Sequence, residues 1–228
     1  MSVQQISPGP VVSRILEIYR EQFSVLFGIS VVLYAVQFVA YFLLSTSAAL
    51  PLVALFWALS VLYQGMVVKL VQDVQDGQRE HSIRDLVRSV EPVFWRLLGV
   101  SLLFGIGVGI GFILLIVPGL ILMVIWAVVA PVMVLERPGV FAAFRRSREL
   151  VRGNGWNVFA VLVVVFVAVV AVSVIAGIAT DSLGSVGRAL VQWVVNAAVA
   201  PLTALSAGVL YFALRGQPYR REEPPSAR

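Results

Sequence analysis

The chain has no cysteine, one histidine and one lysine among its 228 residues, and charged residues make up only 13% of it. The missing cysteines exclude disulfides, CxxC redox chemistry and thiolate metal sites. A soluble domain carries roughly a quarter charged residues, so this scarcity argues against a soluble globular fold. The few charges are also clustered. Four stretches contain no Asp, Glu, Lys or Arg: 22–68, 97–135, 153–180 and 189–214, of 47, 39, 28 and 26 residues. A spanning helix needs about 20 apolar residues to cross a hydrocarbon core roughly 30 Å thick. With 60% hydrophobic residues overall, the sequence predicts an all-α integral membrane protein.

The 47-residue stretch would run about 70 Å as a single helix at 1.5 Å per residue. Ser45-Thr46-Ser47 before Pro51 divides it into spans near 23–44 and 49–69. Val117-Pro118-Gly119 divides the 39-residue stretch into 96–116 and 119–135. Those two are short and tightly joined, which keeps a re-entrant hairpin open as the alternative to two crossings. The last two stretches each fit one tilted helix, near 156–180 and 189–214. The expectation is six transmembrane helices over 23–214, preceded by an interfacial segment (1–22) and followed by a disordered tail (215–228). Met1–Pro10 lacks the basic and apolar regions of a signal peptide. Val11, Ile15, Ile18 and Tyr19 share one helical face opposite Arg14, Glu17 and Glu21, as in a helix lying at the interface.

Basic residues set the orientation. If the N-terminus is cytoplasmic, sixteen of the seventeen Lys and Arg residues lie inside and only Arg188 lies outside. The positive-inside rule therefore places both termini and the 69–96 and 136–152 loops in the cytoplasm of a bacterial cell, with the protein in the plasma membrane. The sequence pI of about 10.1 reflects this loop basicity facing anionic lipid, and no nucleic-acid partner is expected. Each proposed hairpin follows an Arg-bearing amphipathic stretch ending in an aromatic residue: Arg20 to Phe23, Arg88 to Trp95, Arg152 to Trp156. Each second helix is expected to begin near a proline: Pro51, Pro118 or Pro201. Three hairpins, each preceded by an interfacial helix, would give this pattern, either as an internal repeat or through reuse of a common hairpin.

Within the spans, polar groups are few. The run Gly105-Ile-Gly107-Val-Gly109-Ile-Gly111 fits neither the dinucleotide fingerprint nor a phosphate loop. Its two small-xxx-small pairs, Gly105/Gly109 and Gly107/Gly111, suit close helix packing. Away from their ends the spans lack Asp, Glu, Lys and His, so no proton relay is available for coupled transport. Gln37, Gln64, Ser101, Ser173, Gln192, Asn196 and Thr203 remain. Interhelical hydrogen bonding is their ordinary role, and Gln64 and Asn196 are the candidates for lining a cavity. His81, flanked by Asp73, Asp76 and Glu80, lacks any paired-His ligand spacing. No metal site, cofactor or catalytic set is expected.

The segment 137–156, RPGVFAAFRRSRELVRGNGW, holds the densest pattern. Pro138 suits a helix start and Gly153 a helix stop. Val140, Phe141, Phe144 and Val151 gather on one side, while Arg145, Arg148 and Arg152 recur at i, i+3, i+7. Such a helix in the headgroup layer would bury its aromatics and offer guanidinium groups to phosphate. Arg145, Arg146, Arg148 and Arg152 are thus candidate lipid-headgroup contacts. The plainer role is fixing topology.

The run Val117-Pro118-Gly119-Leu120, then Trp126, Ala130-Pro131, Glu136, AAFRRSRELVR (142–152), Gly153-Asn154 and Trp156 resembles the glycerophosphoryl diester phosphodiesterase membrane-domain family. That group overlaps with uncharacterised bacterial inner-membrane proteins of the YciC type. ILEIYREQFSVLFGI near the N-terminus is similar to the family's opening. The resemblance implies a membrane domain only; such domains are sometimes fused to a separate soluble phosphodiesterase domain, and no catalytic domain is expected here. The expectation is a non-catalytic accessory or scaffold component associated with membrane lipid, anionic phospholipid above all, or with a partner, either another membrane protein or a second copy of itself. The alternative is a permease or channel for a small or lipophilic solute.

Overall fold

A computed structural model describes residues 6–43, 49–77, 83–180 and 183–216. His81 and the tail beyond Gly216 lie outside the described residues. Ten α-helices follow one another: α1 (Pro8–Glu21), α2 (Phe23–Leu43), α3 (Ala49–Gln75), α4 (Ile83–Val90), α5 (Phe94–Leu114), α6 (Ile116–Ile125), α7 (Val129–Leu135), α8 (Val140–Val151), α9 (Gly155–Ala179) and α10 (Ser185–Leu214). No strand occurs among the described residues. Among the described residues, five helical stretches are long and apolar enough to cross a membrane: Pro51–Gln75, Ile83–Leu114, Ile116–Leu135, Gly155–Ala179 and Ser185–Leu214. Pro8–Glu21 and Phe23–Phe38 meet at a bend of 80° and would count as a sixth only if taken together as one broken span. The all-α, multi-span expectation holds.

The short helices α1, α4 and α8 are amphipathic, and each precedes a longer pair. Their buried faces are Val11, Ile15 and Ile18 on α1, Leu86 and Val90 on α4, and Ala143, Ser147 and Val151 on α8. These spacings of three or four residues keep one stripe on one side of a helix. Each short helix docks on the second helix of a neighbouring pair. α4 lies on α3, α8 on α7, and α1 on α10, which closes the ring. The helices α3, α7 and α10 meet one another, while α2, α5 and α9 flank them. The C-terminal half of α10 is deeply enclosed, with Leu205, Val209, Leu210 and Tyr211 fully buried.

Prolines and breaks fall where backbone geometry allows them. Pro51 and Pro118 are each the third residue of α3 and α6, where an amide would lack a partner in any case. The turn between α5 and α6 is the single extended residue Leu115, so the break falls two residues before the expected Val117-Pro118-Gly119. Pro201 does not start a helix, contrary to the repeat expectation. It sits inside α10, which begins at Ser185 after Gly184. Beside it, the Tyr19 hydroxyl of α1 donates to the Ala198 carbonyl at 2.9 Å.

The expected 119–135 span is itself interrupted. Residues 126–128 separate α6 from α7, and the Val129 amide bonds the Trp126 carbonyl at 3.0 Å instead of reaching back to Ile125.

Candidate functional site

α8 begins at Val140 after Gly139, two residues beyond Pro138. Its last turn ends at Val151, and Gly153 takes a left-handed φ of 88° to redirect the chain into α9. Asn154 completes the turn. Its side-chain carbonyl accepts the Ile6 amide at 3.0 Å, which ties the N-terminal segment to the α8–α9 junction.

Three contacts hold α8 against the bundle. The buried Ser147 hydroxyl donates to the Ile125 carbonyl at 2.9 Å, supplying the donor that the α6–α7 break removed. Phe144 packs edge-on against Trp126 with ring centroids 4.9 Å apart. Glu136, just beyond α7, accepts the Arg146 Nε–H at 3.0 Å and the Tyr211 hydroxyl at 2.8 Å. Arg215 then donates to the Tyr211 oxygen at 3.1 Å and lies 5.5 Å from that ring's centroid. The ends of α7, α8 and α10 therefore share one polar clasp. Burial by itself would lower the Arg146 pKa, but hydrogen bonding and charge from Glu136, then from Glu149, raise it above the ordinary value. The guanidinium stays charged.

The clasp divides the four expected headgroup arginines. Arg146 is committed to Glu136 and lies 3.6 Å from Glu149. Arg145, Arg148 and Arg152 are exposed. With Phe141 they occupy positions i, i+4, i+7 and i+11, a single outward stripe along α8 that ends at its C-cap, Arg152. Arg145 approaches Glu149 only at 4.0 Å, with both side chains mostly exposed, and such a pair contributes at most about 1 kcal/mol. The aromatics divide in the same way. Phe144 turns inward to Trp126, whereas Phe141, Trp95 and Trp156 are 81%, 80% and 83% exposed at the arginine-rich end. Exposed Trp beside Arg is the composition of a membrane–water boundary.

The glycine run divides too. A Cβ on Gly107 would lie 2.6 Å from the Trp126 ring, and one on Gly111 2.9 Å from the Gly119 Cα. Gly105 and Gly109 have nothing within 4 Å. One pair packs inside the α5–α6 hairpin and the other faces open space. Asn196 lines a cavity with Gln37, Gln192 and Arg188 near the start of α10. Gln64 is half-buried on α3 and does not line it. Among the described residues no three His, Cys, Asp or Glu side chains gather as metal ligands.

Sequence reasoning missed Ser147, Glu136 and Tyr211 as anchors. Glu136 and Tyr211 are 75 positions apart, and nothing local to either marks the pairing.

Residues 31–204 match the uncharacterised protein family UPF0259. The chain belongs to that family. It is also 35% identical over 95 residues to a UPF0259 membrane protein of Pectobacterium carotovorum subsp. carotovorum (strain PC1). The match covers 42% of this chain and 38% of the relative's length. No solved structure matches the chain. The family is one of uncharacterised bacterial membrane proteins, which agrees with the coarser part of the resemblance. Neither description mentions phosphodiester hydrolysis.

Proposed function

We propose that this member of the family is a non-catalytic plasma-membrane scaffold whose arginine-rich end gathers anionic phospholipid on the cytoplasmic side. The observation that carries the reading is the outward stripe Phe141, Arg145, Arg148 and Arg152 on α8, a helix held in place by buried contacts on its other face. An exposed cation beside an anionic surface gains about 1 kcal/mol. Three on one fixed helix act together without the cost of ordering a loop. The exposed Trp95 and Trp156 support the same depth, since indoles settle at the headgroup level.

The test is reconstitution into nanodiscs of mixed phosphatidylglycerol and phosphatidylethanolamine. The retained annular lipid should be enriched in phosphatidylglycerol at low salt, and the enrichment should fall as ionic strength rises. An annulus that mirrors the bulk mixture at every salt concentration would contradict the reading. The permease alternative has a smaller basis. The cavity at Asn196 is lined only by parts of α2 and α10.

A further inference from the structure

The connections that follow α2, α5 and α9 lie at the end of the bundle opposite the arginine-rich one. Two are polar in sequence: Ser45-Thr46-Ser47 follows α2, and Thr180-Asp181-Ser182 follows α9. The α5–α6 turn differs. From Phe112 to Val117 it holds no polar side chain, and Ile113, Leu114, Leu115, Ile116 and Val117 are each between 63% and 85% exposed. Contiguous apolar patches of that kind mark membrane or partner contact.

Depth points the same way. The exposed Trp95 and Trp156 mark the headgroup level at the arginine-rich end. At 1.5 Å per residue, α5 runs about 29 Å from Trp95 to Leu114, and α9 runs about 35 Å from Trp156 to Ala179. A hydrocarbon core is roughly 30 Å thick, so α9 clears it and the α5–α6 tip does not. The backbone suits a dry setting as well. A helix start normally leaves four amides open, each costly in lipid. At α6 the Leu115 amide already donates to the Gly111 carbonyl at 3.0 Å, and Pro118 has no amide, which leaves those of Ile116 and Val117. A Cβ on Gly111 would lie 2.9 Å from the Gly119 Cα, so no water fits between the helices there.

We propose that the α5–α6 hairpin stops inside the leaflet opposite the arginine-rich end, where lipid acyl chains cover its tip. The tip continues the exposed apolar stripe Leu102, Ile106 and Ile110 of α5, so the hydrocarbon that covers those residues covers the tip too. Arg96 and Glu136 bound the charge-free stretch on either side, and the chain enters and leaves the membrane at the arginine-rich end. The inference is independent of the α8 stripe and of which side is cytoplasmic.

The test is spin labelling of the full-length protein in vesicles of phosphatidylglycerol and phosphatidylethanolamine. A nitroxide is attached to a single cysteine in Leu115→Cys, with Ile106→Cys as the lipid reference and Gly184→Cys as the water reference. Collision rates are read with oxygen, which dissolves in hydrocarbon, and with a polar nickel chelate, which hydrocarbon excludes. The oxygen-to-nickel ratio at Leu115 should match that at Ile106 and exceed that at Gly184 by about tenfold or more, since burying a polar solute costs several kcal/mol. Should Leu115→Cys not fold, Ile113→Cys on the same tip takes its place. A ratio equal to that at Gly184 would overturn the proposal by placing the turn in water. Shielding from both reagents would also overturn it, and would assign the tip to a contact with a second copy of the chain.

Discussion

Gly107 and Gly109 are two residues apart on α5 and meet different surroundings. The first is pressed against the Trp126 ring and the second faces open space. Gly107→Leu must displace a side chain that also packs on Phe144, and overpacking of this kind typically costs about 1–3 kcal/mol. Gly109→Leu should be tolerated. Detergent-denaturation midpoints of the two variants check this: a loss confined to Gly107→Leu is expected, and equal losses would mean that the open face is covered. The sequence shows the glycine spacing but not the rotation of α5 about its axis, which is what separates the two pairs. The same limit applies to the arginines. That Arg145, Arg146, Arg148 and Arg152 lie on an amphipathic helix is legible from periodicity. That Arg146 belongs to Glu136 is a tertiary fact.

Helix α8 is amphipathic, and its inner face is fixed by specific contacts. Ser147 bonds Ile125, 22 positions earlier, and Arg146 bonds Glu136, 10 positions earlier, which in turn holds Tyr211, 75 positions from it in sequence. Tyr211 is fully buried, so Tyr211→Phe removes a hydrogen bond to a charged acceptor, at a cost of about 1.5–3 kcal/mol. Ser147→Ala leaves the Ile125 carbonyl without its donor and should cost about 1 kcal/mol. Arg148→Ala, on the exposed stripe, should stay within about 0.5 kcal/mol of wild type. Equilibrium unfolding in a denaturing detergent series distinguishes the three, and a loss in Arg148→Ala as large as in Tyr211→Phe would contradict this assignment of faces. The α6–α7 break escaped sequence reading because residues 126–128 contain neither proline nor glycine. Its donor comes from Ser147, and no local pattern announces that.

The whole molecule is a ring of three units, each a short amphipathic helix followed by a longer pair, closed by α1 on α10. Hydropathy alone made the helical membrane class and most helix limits legible, because charge-free stretches of 26 to 47 residues have few other uses. Ring closure was not legible, since α1 and α10 lie at opposite ends of the sequence. The orientation proposed from the Arg asymmetry is simple to test, because the chain has no native cysteine. A single cysteine at Gly139 should resist an impermeant thiol reagent in intact cells, and one at Gly184 should react. The reverse pattern would invert the protein in the membrane.

In the proposed function, the exposed Arg145, Arg148 and Arg152, and not the clasped Arg146, hold anionic lipid at one end of this ring. Native mass spectrometry of the protein released from membranes tests it most directly. Arg145/Arg148/Arg152→Gln should lose most of its co-purifying phosphatidylglycerol and cardiolipin, while its unfolding midpoint stays near wild type. Arg146→Gln should retain those lipids and unfold more easily. Wild-type lipid retention in the triple variant would contradict the claim and leave these arginines as determinants of topology alone.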